Sequence, residues 1–306
     1  MLKLGIIGLS EGNGHPYSWS AIINGDFNRP AMDKCGFDGI PVYLEANSDT
    51  LGIDGAEVTH VWTQDRKISE HIALASGITN VVDRADEMIG QVGAVILARD
   101  DPENHVAMAK PFLDADIPIF IDKPLAITAE DLEYFTVQNA AGKFFMSCSS
   151  MRYAKEIGRV RSELASLGKL ELATVVGKKD WVKYGVHLLE ALFALLDDPK
   201  AASVQHLSES GKDIVLIYFK DGLLATVHIF KHISLTFQLT LFGQGGWRLV
   251  EIKDSYAMFR ENLIEFIQSV REGRPRLPFE HTVNIIRTLI GAAESLESGG
   301  GTIHLI

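Results

Sequence analysis

Four groups of residues combine types and spacings that suit chemistry. Asp122-Lys123-Pro124 follows an apolar run, residues 117–121, that reads as a short buried strand. A lysine at the C-terminal end of a parallel strand points into the crevice where α/β sheets bind ligands. Pro124 then fixes the direction of the chain. An isolated Asp–Lys pair is more simply read as solvated, and its place at a strand end shifts the balance toward the ligand. The second group is Gly8-Leu9-Ser10-Glu11-Gly12-Asn13-Gly14-His15, which lies between an apolar strand and a helix with Pro16 near its start. Glycines before a helix N-terminus let the backbone approach a dinucleotide pyrophosphate. The usual G-x-G-x-x-G spacing falls on Gly8, Ser10 and Asn13, with Gly12 and Gly14 supplying flexibility nearby. An ordinary strand–helix turn is the alternative reading.

An acidic residue beyond the second strand ordinarily holds the adenine ribose. Asp65 is the candidate, flanked by Gln64 and Arg66, and Arg66 would instead suit a 2′-phosphate. Three solvated loop residues is an equally open reading. The fourth group is Lys183-Tyr184-Gly185-Val186-His187 and the apolar run after it. At helical spacing Lys183, His187, Glu190/Ala191 and Ala194 share one face, while Val186, Leu189, Phe193 and Leu196 share the core face. A satisfied core or surface histidine is the simpler reading of His187. Its small neighbours leave room for a ligand. His228 and His232 fall in and just after a strand, where a spacing of four keeps them apart, so no metal site is expected.

These residues need elements to position them. Strands at residues 2–8, 58–63, 80–82, 94–98, 117–121 and 144–146 alternate with helical segments at 67–75, 85–89, 103–113 and 129–139. That alternation predicts a doubly wound parallel sheet of Rossmann type. Residues 26–57 show no sustained period and read as an irregular insertion. Beyond residue 149 the pattern changes. Helices at 155–167 and 187–196 accompany strands at 170–176, 203–207, 213–219, 223–228, 236–242 and 247–252, and helices at 258–271 and 281–296 close the chain. Short turns such as Lys220-Asp221-Gly222 indicate an antiparallel sheet. The expectation is an α/β fold in two domains: a dinucleotide-binding Rossmann domain over residues 1–149, and an α+β domain with an open antiparallel sheet over 150–306.

A chain of 306 residues suits two cores, and its net charge of −11 without a Lys/Arg run argues against a nucleic-acid partner. Two distant cysteines, Cys35 and Cys148, read as free thiols of a reducing compartment. Apolar runs are too short for a membrane span. A cytoplasmic protein is expected.

Five segments in order resemble the Gfo/Idh/MocA family of NAD(P)-dependent oxidoreductases. They are Lys3-Leu4-Gly5-Ile6-Ile7-Gly8, the stretch from Val95 through His105, Asp122-Lys123-Pro124-Leu125-Ala126 (the family's E-K-P), Gly185-Val186-His187-Leu188-Leu189-Glu190 (its G-x-H-x-x-D), and Asn262 to Phe266 with Arg271-Glu272-Gly273. The resemblance implies NAD or NADP as cofactor and hydride exchange with a secondary alcohol or ketone of a sugar, cyclitol or derivative. It places Lys123 at cofactor and substrate and makes His187 the acid/base. Lys183 stands where the family often has an aspartate. If Lys183 and Lys123 face a common cleft with His187, two ammonium groups compete there, or together bind an anionic substrate group. Asp180 or Glu190 would otherwise neutralise Lys183. The rival reading is a non-catalytic member that binds a sugar or dinucleotide, or serves as a structural partner; Ser10, Asn13 and Lys183 favour it. An open sheet face suggests a homo-oligomer.

Overall fold

A computed structural model describes residues 1–305; residue 306, the last of the second expected domain, lies outside the described residues. The chain divides into two compact units. The first comprises Met1–Ala126, Glu130–Cys148 and Phe259–Phe279; the second comprises Ile127–Ala129, Ser149–Met258 and Glu280–Ile306.

In chain order the first elements are β1 (Leu2–Ile7), α1 (His15–Asn24), α2 (Arg29–Met32), α3 (Gly39–Ala46), β2 (Ala56–Trp62), α4 (Arg66–Ser76), β3 (Asn80–Val81), β4 (Ala94–Leu97), α5 (His105–Asp114), β5 (Ile119–Ile121), α6 (Ala129–Ala140) and β6 (Phe145–Met146). The strands form one parallel sheet in the order β3-β2-β1-β4-β5-β6. This is the doubly wound topology, and the order reverses beside β1, so a crevice opens beyond the tips of β1 and β4. Leu4, Ile6, Ile7, Val95, Ile96, Leu97 and Ile121 have no exposed surface, as expected for strands covered on both faces.

Residues 26–57 are more ordered than their lack of period suggests. The Asn28 side chain accepts from Ala31 N and caps α2, and α3 buries Ile40, Pro41 and Leu44. Helices of one or two turns are too short to show a period in sequence.

The second unit continues with α7 (Lys155–Arg161), β7 (Leu170–Lys178), α8 (Trp181–Leu195), β8 (Ala201–Glu209), β9 (Lys212–Phe219), β10 (Leu224–Phe230), β11 (Phe237–Gly243), β12 (Gly246–Glu251), α9 (Ser255–Glu272), α10 (Phe279–Glu297) and β13 (Ile303–His304). From Phe259 on, α9 counts with the first unit. The sheet order is β12-β11-β7-β10-β9-β8-β13. It is antiparallel except where β10 pairs parallel to β7. The expected 155–167 helix breaks at Ser162 into α7 and a 3-10 turn, Leu164–Leu167. Helix α8 starts earlier than its apolar run because Asp180 caps it, accepting from Lys183 N. No described helix is long and apolar enough to cross a membrane.

Candidate functional site

The turn after β1 is held from three sides. Gln64, just past β2, donates from Nε2 to Leu9 O (2.7 Å), and its Oε1 accepts from Leu9 N (3.2 Å). Arg99, just past β4, donates to both Leu9 O (3.1 Å) and Gln64 Oε1 (2.9 Å), and also pairs with Asp101. Ser10 Oγ donates to Asp100 Oδ1 and accepts from Asp100 N. The turn is thus tied to the tips of β2 and β4 by side chains rather than by glycine geometry alone.

Asp122, at the tip of β5, is buried and fully bonded. Its Oδ2 accepts from Asn13 Nδ2 at 2.9 Å and lies 2.7 Å from His15 Nδ1, while its Oδ1 accepts from Lys123 N at 2.8 Å. Burial alone would push this carboxyl up, but the Lys123 ammonium, the His15 ring and these hydrogen bonds hold it well below the usual carboxylate range. Lys123 is itself buried and donates to Asp100 Oδ2 at 3.2 Å. Asn13, besides serving Asp122, accepts from His15 N at 2.9 Å. Fully buried His105 braces the neighbouring tips, with Nε2 2.8 Å from Arg99 O and Nδ1 3.1 Å from Leu125 O.

Of the residues expected to hold a dinucleotide, Gly8, Ser10, Gly12, Asn13, Gly14 and Lys123 therefore lie around the tips of β1, β4 and β5. Asp65 and Arg66 lie beyond the tip of β2, and both are engaged locally. Asp65 caps α4, accepting from Lys67 N at 2.8 Å, and Arg66 pairs with Glu70 and Asp83 on the surface. Arg99 and Asp100 join the candidate site without having been singled out in the sequence, where His15 and Gln64 figure only as the end of the turn and a neighbour of Asp65. The run Arg99-Asp100-Asp101 directly behind an apolar strand was a usable signal; the roles of Gln64 and His15 depend on contacts distant in sequence.

The donor set fits a dinucleotide. Gly12, at the exposed apex of the turn, has φ 79, a conformation that strains any side-chain-bearing residue. Neither its amide nor that of Glu11 has an acceptor among the described residues. Ser10 and Lys123 add a hydroxyl and an ammonium at the same strand tips.

The second unit holds the other expected residues. His187 is half-buried on α8, with Nδ1 2.6 Å from Ser149 Oγ. Lys183 is exposed. Asp180 serves the Lys183 main chain rather than its ammonium. Glu190 is buried and bonds Arg152 Nε at 2.7 Å, and Arg152 also grips Asp198 with both terminal nitrogens, at 2.9 and 2.7 Å. Asp198 Oδ2 is 3.0 Å from His281 Nδ1. Burial pushes the Glu190 carboxyl up, and Asp198 adds to that, while Arg152 opposes both. Ala191 and Ala194 are buried as well, so this part of the α8 face packs inside the unit.

A family model described as "Oxidoreductase family, NAD-binding Rossmann fold" (GFO_IDH_MocA) matches residues 35–143. Residues 35–143 thus carry the sequence pattern of the NAD-binding Rossmann domain of the Gfo/Idh/MocA family. The match begins beyond the Gly8–Gly14 turn, where the chain departs from the usual glycine spacing. No curated protein sequence matches the chain. Among solved structures, a probable dehydrogenase from Thermotoga maritima is similar at a TM-score of 0.79 and 14% identity, over 99% of each chain. A myo-inositol dehydrogenase from Lactobacillus casei, in complex with NAD(H) and myo-inositol, is similar at 0.76 and 16%, over 100% of this chain and 97% of that one. One from Corynebacterium glutamicum is similar at 0.76 and 15%, over 100% and 99%. At these identities the likeness is one of fold. It extends over both units.

Proposed function

We propose that the chain is an NAD-dependent dehydrogenase acting on a secondary alcohol of a sugar or cyclitol, or a reductase of the corresponding ketone. The observation that carries this reading is Lys123 at the tip of β5, held by Asp100 in an oxidoreductase-family Rossmann domain. Structures of similar fold bound to NAD(H) with myo-inositol or scyllo-inositol support the substrate class. The cofactor supplies hydride acceptance and donation, and the protein orients it and moves a proton. Gly8, Ser10, Gly12, Asn13 and Gly14 are the residues for the pyrophosphate, Asp65 and Arg66 for the adenosine end. Lys123 polarises the substrate oxygen, and His187, backed by the Ser149 hydroxyl, exchanges its proton. Exposed Lys183 biases the site toward substrates with an acidic group, which Lys183→Asp should reverse between neutral and acidic sugars. The test is titration with NADH and NADPH, then turnover on a polyol panel that includes myo-inositol. Absence of binding at millimolar dinucleotide overturns the reading. Binding without turnover favours a sensor, a reading supported by how many donors of the turn are already engaged within the protein.

We also propose a homo-oligomer built on the outer face of the second sheet, in a protein of the cytoplasm. The pairing registers set Tyr218, Leu224, Leu172, Phe242 and Trp247 in one row across five strands, all apolar or aromatic. Trp247 is 60% exposed and Leu249, one row on, 50%. An exposed apolar row of this kind is ordinarily covered.

A further inference from the structure

Helix α1 begins with few free main-chain donors. The amides of a first turn are what ordinarily receive a phosphate. Here His15 N already donates to Asn13 Oδ1, Pro16 has no N–H, and Tyr17 N and Ser18 N both return to Gly14 O at 3.1 and 3.2 Å. What remains lies at the apex of the turn, beside the Glu11 carboxylate.

The His15 side chain stands at the same helix start. Its ring stacks on Trp19 with centroids 4.1 Å apart and meets Phe259 edge-on at 5.3 Å. Asp122 is ionised and can only accept, so Nδ1 carries the hydrogen in the 2.7 Å contact. The tautomer is thereby fixed, and Nε2 is the ring's open nitrogen. The side chain keeps 17% of its surface exposed, and Nε2 has no partner among the described residues.

Charge decides what that nitrogen does. Asp122 and Lys123 face His15 from the tip of β5, and Asp100 joins them from β4 through Lys123. Glu11 lies on the turn, and Arg99 and Asp101 cancel each other. α9 contributes the uncharged ring of Phe259, and α3 contributes Tyr43, a neutral phenol behind it. With His15 neutral, the Asp100–Asp122–Lys123 cluster holds one excess negative charge, and a dinucleotide brings two more. A proton on Nε2 cancels the excess and turns an acceptor into a donor.

We infer that His15 is a proton-linked contact for the dinucleotide pyrophosphate: dinucleotide binding draws a proton from solvent onto Nε2, and the new N–H donates to a phosphate oxygen. This rests on the NAD reading above. Calorimetric titration with NADH, between pH 6 and 8.5 in buffers of differing ionisation enthalpy, measures the proton uptake. Wild type should take up a proton on the alkaline limb, approaching one, with affinity weakening by up to about tenfold per pH unit. His15→Gln should bind more weakly at pH 6, with flat pH dependence and no uptake. His15→Arg should bind without uptake and hold its affinity at pH 8. NADH binding by wild type without uptake, or equal uptake by His15→Gln, overturns the role of His15 alone. No NADH binding by wild type overturns the cofactor reading itself. A ring carbon-13 spectrum of wild-type His15, with and without NADH at pH 8, reads the same event without a variant; an unchanged shift would count against it.

Discussion

Asn13 Nδ2 donates to Asp122 Oδ2 at 2.9 Å, joining positions 109 apart in sequence. The oxygen of the same amide accepts from His15 N, the first residue of α1. Asn13→Ala removes a donor from a buried carboxylate and should cost about 1–3 kcal/mol. Asn13→Asp sets a second carboxylate against Asp122 and should cost more at pH 7. Its deficit should shrink as pH falls toward the carboxylate range. Urea unfolding at pH 7 and pH 5 checks both.

Asp122 makes stability acid-sensitive. Its carboxyl titrates below that of an unfolded aspartate, near 4. Its contribution is therefore complete above about pH 4 and disappears as pH falls through the folded value. Asp122→Asn should be less stable than wild type at pH 7, with the gap closing in acid. A gap that widens on acidification would contradict the assignment.

Arg152 neutralises two buried carboxylates, Glu190 and Asp198. Arg152→Met strands both and should cost about 3–5 kcal/mol. Glu190→Gln should be mild at neutral pH, because the Glu190 carboxyl titrates above its unfolded value. Its favourable share is present below the ordinary glutamate range, near 4.3, and lost as pH rises through the folded value. Thermal melts of both variants at pH 5 and 8 test the ordering.

Trp247 and Leu249 lie on adjacent rows of the open sheet face. Trp247→Arg with Leu249→Glu should lower the mass measured by light scattering to that of one chain, while the circular dichroism spectrum stays the same. An unchanged mass above that of one chain would place the interface elsewhere.

Much of the architecture was readable because buried parallel strands such as residues 94–97 are uninterrupted apolar runs. Lys123 was readable because it directly follows one. The α2–α3 region was not, since its helices are too short to repeat. His15 was not, because its meaning comes from Asp122, 107 positions away, and Gln64 acts on Leu9 across 55. Glu190 matched a motif, yet nothing local announces its buried partners Arg152 and Asp198.

The α2–α3 stretch invites deletion by anyone trimming the protein to a minimal scaffold. Gly14 argues against it: a β-carbon there would sit 2.6 Å from Ile40 Cδ1 and 2.9 Å from the Phe37 ring, so this stretch is pressed directly on the turn. Arg260 donates to Thr50 O and Gly52 O, and Arg271 to Asp54 O, fastening its far end. The apparent ornament is a splint. Shortening it would remove one wall of the mould that shapes residues 8–14.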